Sequence, residues 1–551
     1  MRWDNCDLRT ATKFVVVLAA VSLRSASLAV AQQWSGFAGN AQHTALSSVA
    51  SQDLDTIRWQ TPVDLDPQYS ASGELLIHYG SPLVTSLNSN NTDNVIVPVK
   101  TGATGGFQID GLNGSTGATL WTASTDYTLP PADWTPSYSP ALTSSNRMYY
   151  AGDGGTIYYR DGVNTASPSA PAQIAFYGTA AYQANPTAYN SSVFINTPIT
   201  TDSAGDIYFG FRVNGLAPAG SGLPSNAGGI ARISATGATT FITATVAAGN
   251  SAITNDVMNA APALSNDGST LYVTVGNGPN PISATGDLVA LNSTTLAPEN
   301  AVPLTDPSSG KAAWLPDDGT ASPTVGPDGQ VYIGVLENPF PSNNDRGWML
   351  SFSSNLSKTG TPGSFGWDDT ASIVPASMIP SYHGTSTYLL MTKYNNYAGV
   401  GTGNGVNQIA ILDPNATMTD PVTGATVMKV VESIAGVTPD EDKIADGFPN
   451  AVDEWCIDSA VVDPATDSVI AGSEDGKLYR WDLATNTFTQ VITLTPGLGE
   501  AYTPTMIAAD GSVLAINNAT LFDIAVPEPG TATILALYGM AAISRRRHRS
   551  V

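Results

Sequence analysis

Short apolar runs separated by tight polar turns recur through the middle of the chain. "SPALTSSNRMYYAGDGGTIYYRDG" from Ser139, "TPITTDSAGDIYFGF" from Thr197, "APALSNDGSTLYVTVGNG" from Ala261, "SPTVGPDGQVYIGV" from Ser322 and "TPTMIAADGSVLAIN" from Thr503 share one plan. A brief apolar strand meets a polar turn, and a second strand rich in aromatic and β-branched residues follows. The dipeptides Asp267-Gly268, Asp328-Gly329 and Asp510-Gly511 sit at the turns, where they tolerate the positive φ that a tight hairpin requires. Each unit therefore reads as an antiparallel hairpin.

The spacing counts the units. Pro82, Pro140, Pro198, Pro262 and Pro323 stand about 60 residues apart, and a proline at the first residue of a strand forfeits no ladder hydrogen bond. Two more units, starting at Ser372 and Asp458, fill the interval before Pro504, which makes eight with the one at Ser81. Four strands per unit at this period predict an all-β fold, a single β-propeller of eight four-stranded blades over residues 32–525, whose closure leaves few exposed edges. The last unit supplies only three strands before Val526, so "TIRWQTPV" at Thr56 to Val63 is expected to complete it and close the ring.

Composition then places this ring. Hydrophobic residues make up 42% of the chain and charged ones only 12%, so the surface is built mainly from Ser, Thr, Asn and Gly, as in exported proteins. A formal charge of -24 repels phosphate backbones, which excludes nucleic acid as a partner. Arg2, Arg9 and Lys13, the apolar run from Phe14 to Leu23, and the small-x-small step Ala29-Val30-Ala31 predict a signal peptide over residues 1–31. Its removal takes Cys6, leaving Cys456 without a partner for a disulfide and best read as a small buried hydrophobe.

The far end carries a second address. Pro527-Glu528-Pro529, a short apolar run from Thr531, and Arg545, Arg546 and Arg547 resemble the PEP-CTERM sorting signal of bacterial exported proteins. The resemblance implies an exosortase-type membrane protease as partner. It also implies a C-terminal segment 526–551 that holds the protein at the membrane as a short transmembrane helix before release to the cell surface or the extracellular space. A plain tail anchor is the alternative.

The opening "WSGFAGNAQHTALSS", the strand "IRWQTPV", the phrase "IDGLNGSTGATLW" and the blade ending "DGKLYRWDLATN" together resemble the PQQ-like repeat propellers, the quinoprotein alcohol dehydrogenase-like superfamily. That superfamily includes dehydrogenases and noncatalytic proteins, so the resemblance does not decide function. Its dehydrogenases resemble one another in adjacent cysteines, a stacking tryptophan, and Glu, Asn and Asp around calcium. This sequence has no adjacent cysteines. No catalytic residue carries across, and PQQ is not expected.

Other chemistry is sparse. His43, His78, His383 and His548 form no cluster with metal-ligand spacing, and no nucleophile elbow or P-loop is present. One stretch breaks the repeat, an acidic insertion at about 437–456. There Asp440, Glu441, Asp442 and Asp446 offer carboxylates to Ca²⁺, although EF-hand spacing is missing. Asp453, Glu454 and Trp455 would suit a sugar ring, which stacks on indole while carboxylates bind its hydroxyls. A solvated acidic loop is the simpler alternative.

The sequence thus points to a noncatalytic exported propeller that binds a glycan, a protein or another matrix component, with no cofactor expected apart from calcium. The alternative is an enzyme, either a divergent PQQ-type dehydrogenase or a carbohydrate-active propeller using paired carboxylates. Buried, convergent acids at the central channel favour the enzyme, and an apolar plug favours the scaffold.

Overall fold

In the computed structural model, residues 33–527 are described, apart from 71–74, 133, 279–282, 317–318, 320, 498 and 500–501. The signal peptide and the sorting-signal residues Glu528, Pro529, Arg545, Arg546 and Arg547 lie outside this range, and Pro527 is exposed at its edge. No helix among the described residues is long and apolar enough to cross a membrane.

Eight antiparallel sheets follow one another along the chain. Blade 1 spans Leu83 to Ser124, blade 2 Ala141 to Ala175, blade 3 Val193 to Thr243, and blade 4 Asn255 to Pro303. Blade 5 spans Thr324 to Phe352, blade 6 Ser372 to Ala435, and blade 7 Val461 to Thr493. Blade 8 holds Met506–Ile507, Val513–Asn517 and Thr520–Ala525, and its outer strand is Thr56–Pro62 from the start of the chain. Thr56 pairs with Ala525 and Pro62 with Thr520, so the expected closure is present. Blade 5 departs from the four-stranded plan: it has three regular strands, and the bridges Met349 to Gly363 and Phe352 to Thr359 stand where the outer strand would be.

The marker prolines explain the short inner strands. Leu83–Val84, Ala141–Leu142 and Thr324–Val325 each begin just after one, because the proline itself donates no N–H. Behind them the turn glycines Gly268, Gly329 and Gly511 take φ of 73°, 85° and 89°, as the turn chemistry requires. Blades are also stitched side by side near the axis. The Ser139 hydroxyl accepts from Ser81 N–H at 3.2 Å, Ser322 from Ala261 N–H at 2.9 Å, and Thr370 from Ser322 N–H at 2.9 Å. Apolar side chains fill the space between sheets, with Trp348, Trp455 and Trp481 among the largest that are wholly buried.

One element has no counterpart in the hairpin pattern. Residues 34–52 form a strap that runs around the ring and touches the blades in order. Trp34 exchanges two backbone hydrogen bonds with Val84 of blade 1, and Ser35 accepts from Leu142 of blade 2. Ala41, Gln42, Thr44 and Ala45 accept in turn from Leu264, Val325, Ile373 and Val462 of blades 4 to 7. Gln52 then donates to Gly511 of blade 8 at 2.7 Å. His43 is buried, and desolvation lowers its pKa to about 4, so the neutral ring donates from Nδ1 to the Pro323 carbonyl at 2.7 Å. Gly39 lies against the Trp34 ring with φ 91°, where a Cβ would stand 3.2 Å from the ring atoms and the left-handed backbone favours glycine. The strap lies at the end of the channel where the inner strands meet their Asp-Gly turns, so that mouth is closed.

Candidate functional site at the open mouth

The opposite mouth is built from the residues just ahead of each inner strand. In four blades, the residue preceding the Ser/Thr step is Asn196, Asp369, Asp458 or Tyr502. His78 arrives from the approach to blade 1 and Asn259 from that of blade 4. Because these blades are not neighbours, the 3.3 Å contact between His78 Nδ1 and Asn259 Nδ2 crosses the axis. Asn259 Oδ1 accepts from Ser137 N–H at 2.8 Å, which turns its Nδ2 toward His78 and makes Nδ1 the acceptor. His78 stacks on Trp134 at 5.4 Å and meets Tyr502 edge-on at 5.6 Å. Burial lowers the His78 pKa, with Asp368 opposing and Lys393 assisting, so the imidazole is neutral.

The channel is therefore plugged, but by polar and aromatic groups, and acids stand beside the plug. Asp369 is fully buried, and desolvation raises its pKa to about 8 against the pull of Lys393. Its Oδ1 accepts from Lys393 N–H at 3.4 Å, and its Oδ2 has no partner. Asp458 is pushed well above the usual carboxylate range, first by burial and then by Asp368, and its Oδ1 is also unpartnered. Both acids hold a proton at neutral pH.

Lys393 provides the positive charge. Its side chain is 3% exposed, and its Nζ lies 3.9 Å from Asp368 Oδ2 and 6.0 Å from the ring centres of Phe365 and Tyr502. Among the described residues this ammonium makes an ion pair but no hydrogen bond. It forms part of the wall of a cleft of about 300 Å³, together with Trp367, Asp368, Tyr502, Lys443, Glu454 and Cys456.

The acidic insertion forms the outer wall. A bridge from Pro439 to Val452 closes it, and Val452 binds the Gly405 loop through its N–H at 2.9 Å. Asp440 caps the short helix Glu441–Ala445, its Oδ1 accepting from Lys443 N–H at 3.0 Å, while Glu441, Asp442 and Asp446 are exposed. These four proposed calcium ligands do not appear in any group of three ligand atoms within 4.8 Å of one another among the described residues; Glu454, Cys456 and Glu474 do. Of the proposed glycan residues, Asp453 is half-buried with its pKa raised to about 7, first by burial and then by Glu474. Glu454 lines the cleft. The Trp455 indole is wholly buried against Tyr479 and Phe488.

Sequence reasoning set His78 aside as a lone histidine and passed over Asp368, Asp369, Lys393, Asp458 and Tyr502. A signal existed for three of them: aligned on the Ser/Thr step, blades 6, 7 and 8 carry Asp, Asp and Tyr where blades 1, 4 and 5 carry Gly80, Ala260 and Ala321.

No family model matches the chain, and no curated protein matches its sequence. Solved structures do match its shape. A europium-containing methanol dehydrogenase aligns with a TM-score of 0.52 and 10% identity over 88% of this chain and 89% of the other. A quinohemoprotein alcohol dehydrogenase from Comamonas testosteroni aligns with a TM-score of 0.52 and 12% identity over 90% and 81%. At such low identity the likeness shows the fold alone, a β-propeller.

Proposed function

We propose that this is an exported propeller whose open mouth binds a small, hydroxyl-rich ligand, such as a terminal unit of an extracellular glycan, without reacting with it. The observation that carries this reading is Lys393, a buried ammonium with donors to spare in the wall of a cleft flanked by Tyr502, Trp367 and Asp368. Oxygen acceptors on the ligand would satisfy the ammonium, and aromatic faces would take its C–H surface. In this reading the leader exports the chain and the PEP-CTERM-type tail hands it to an exosortase-type protease. Calcium at the insertion stays a separate proposal, tested by whether millimolar Ca²⁺ raises the melting temperature. A glycan array on the purified protein tests the main reading. Binding to a defined saccharide that Lys393→Met weakens at least about tenfold supports it, and unchanged binding by that variant refutes the cleft as the site.

A catalytic reading has one observation in its favour: Asp369 and Asp458 are buried and protonated, as a general acid must be. Turnover of a bound saccharide, abolished by Asp458→Asn, would convert the binding protein into an enzyme. This reading leaves out a quinone: among the described residues Trp134 stacks on His78, with Tyr502 edge-on to both.

A further inference from the structure

A smaller pocket adjoins the cleft. It lies between blades 4 and 5, has a volume of about 20 Å³, and is walled by Val257, Trp314, Leu315, Val335 and Leu336. That is room for one water-sized group, such as a methyl. Trp367 and Asp368 line both this pocket and the cleft, so they form the partition between the two. Main-chain bonds hold the walls. Trp314 and Leu336 exchange two backbone hydrogen bonds, each of 3.0 Å, and Trp367 N–H donates to the Arg346 carbonyl at 3.0 Å. Gly334, also in the lining, lets the partition pass close to blade 5, since a Cβ there would meet the Gly366 carbonyl oxygen at 2.1 Å. The pocket is therefore formed before any ligand arrives.

One polar group is out of keeping with this apolar lining. Thr274, on the second strand of blade 4, is 3% exposed and lines the pocket, and its hydroxyl has no hydrogen-bond partner among the described residues. A buried hydroxyl left unpaired costs stability, and a valine would fill the same space without that cost. A group that suits both spaces at once has a defined chemistry. The pocket takes something small and apolar that also brings an acceptor for the Thr274 hydroxyl. Asp368, at the partition, offers a carboxylate that accepts a donor on the way out to the cleft. An acetamido substituent carries these features in order from the sugar ring: N–H, then carbonyl, then methyl. A bare hydroxyl would leave the apolar walls unfilled, and a charged amine would be desolvated there.

We propose that this pocket is a subsite for the acetamido group of an N-acetylated hexosamine whose ring and hydroxyls lie in the cleft. The inference rests on the saccharide reading of the cleft and narrows it to one ligand class. Thr274 Oγ1 donates to the acetyl carbonyl, Asp368 accepts from the amide N–H, and the methyl lies among Trp314, Leu315 and Val335. Thr274 is then a specificity-determining residue, kept as threonine because the ligand completes its hydrogen bonding.

The experiment presents the purified full chain with a glycan array of matched pairs that differ only in acetamido or hydroxyl at C2, such as chitotriose and cellotriose, or N-acetylgalactosamine and galactose. Calorimetric titration then measures each pair that binds. The expected result is an N-acetylated member bound at least about tenfold more tightly than its counterpart. Thr274→Val keeps the shape of the side chain and removes the hydroxyl. It should cut that preference about three- to tenfold, with a melting temperature no lower than that of the unsubstituted protein. Lys393→Met should instead weaken both members of a pair together. Equal affinity for the two members overturns the acetamido subsite and leaves the saccharide reading standing, a result that depends on no variant. So does a preference that Thr274→Val leaves unchanged. Binding of no saccharide on the array overturns both.

Discussion

The two ends of the channel are finished in different ways. At the closed end, the strap 34–52 is joined to blade after blade by backbone N–H and C=O groups, and the buried His43 there has its partner. At the open end, side chains meet from blades that are not neighbours, and Asp369 Oδ2 and Asp458 Oδ1 are left without partners. Backbone pairing is insensitive to side-chain identity and gives stability. Unpaired buried polar groups cost stability, and a protein keeps them where something else will use them. The closed mouth is thus a structural device, while the open one is chemically poised.

That contrast can be broken at several points. Removing residues 33–52 should have the largest effect, loss of a cooperative melt for the whole ring, since the strap is shared by seven blades; a melt confined to one blade would show that the strap is decoration. Trp34→Ala is the milder form, expected to cost about 3–5 kcal/mol in denaturant titration. At the open end, pH sharpens the difference. Asp369 ionises near 8 when folded and near 3.8 when unfolded, so between those values the folded chain holds a proton that the unfolded chain has released. Its contribution is therefore fully present below about pH 4 and is lost as pH rises toward 8, with a slope of at most about 1.4 kcal/mol per pH unit. Asp369→Asn should flatten that part of the profile in melts from pH 5 to 8, and an unaltered profile would refute the buried acid. The smallest effect is expected at Asp440→Ala, where loss of the helix cap costs about 1 kcal/mol at most in denaturant titration.

The ring itself was legible because turn chemistry and proline placement recur in most of the units, and the closing strand could be inferred by counting three strands where four were needed. The strap escaped because its bonds run through main-chain atoms, which leave no pattern of residue types. The mouth escaped for another reason. His78, Lys393 and Asp458 are brought together only by the circular arrangement, and each alone looks like an ordinary polar residue in a loop. The insertion was conspicuous for its acids, yet its exposed carboxylates stay apart, while the cluster that converges draws Glu474 from the neighbouring strand pair.

The strap also sets an order in time. It is among the first parts of the chain to be synthesised, but its partners are spread across blades 1 to 8, and the strand that follows it pairs with residues more than four hundred positions later, as in the Thr56 hydroxyl bond to Ala525, 469 residues away. Contacts of that separation form late, after the chain has paid the entropy of closing the largest loop it contains. The ring therefore cannot lock while the chain is still emerging. Until blade 8 is made, the strand Thr56–Pro62 has no partner and the growing sheets keep an open edge.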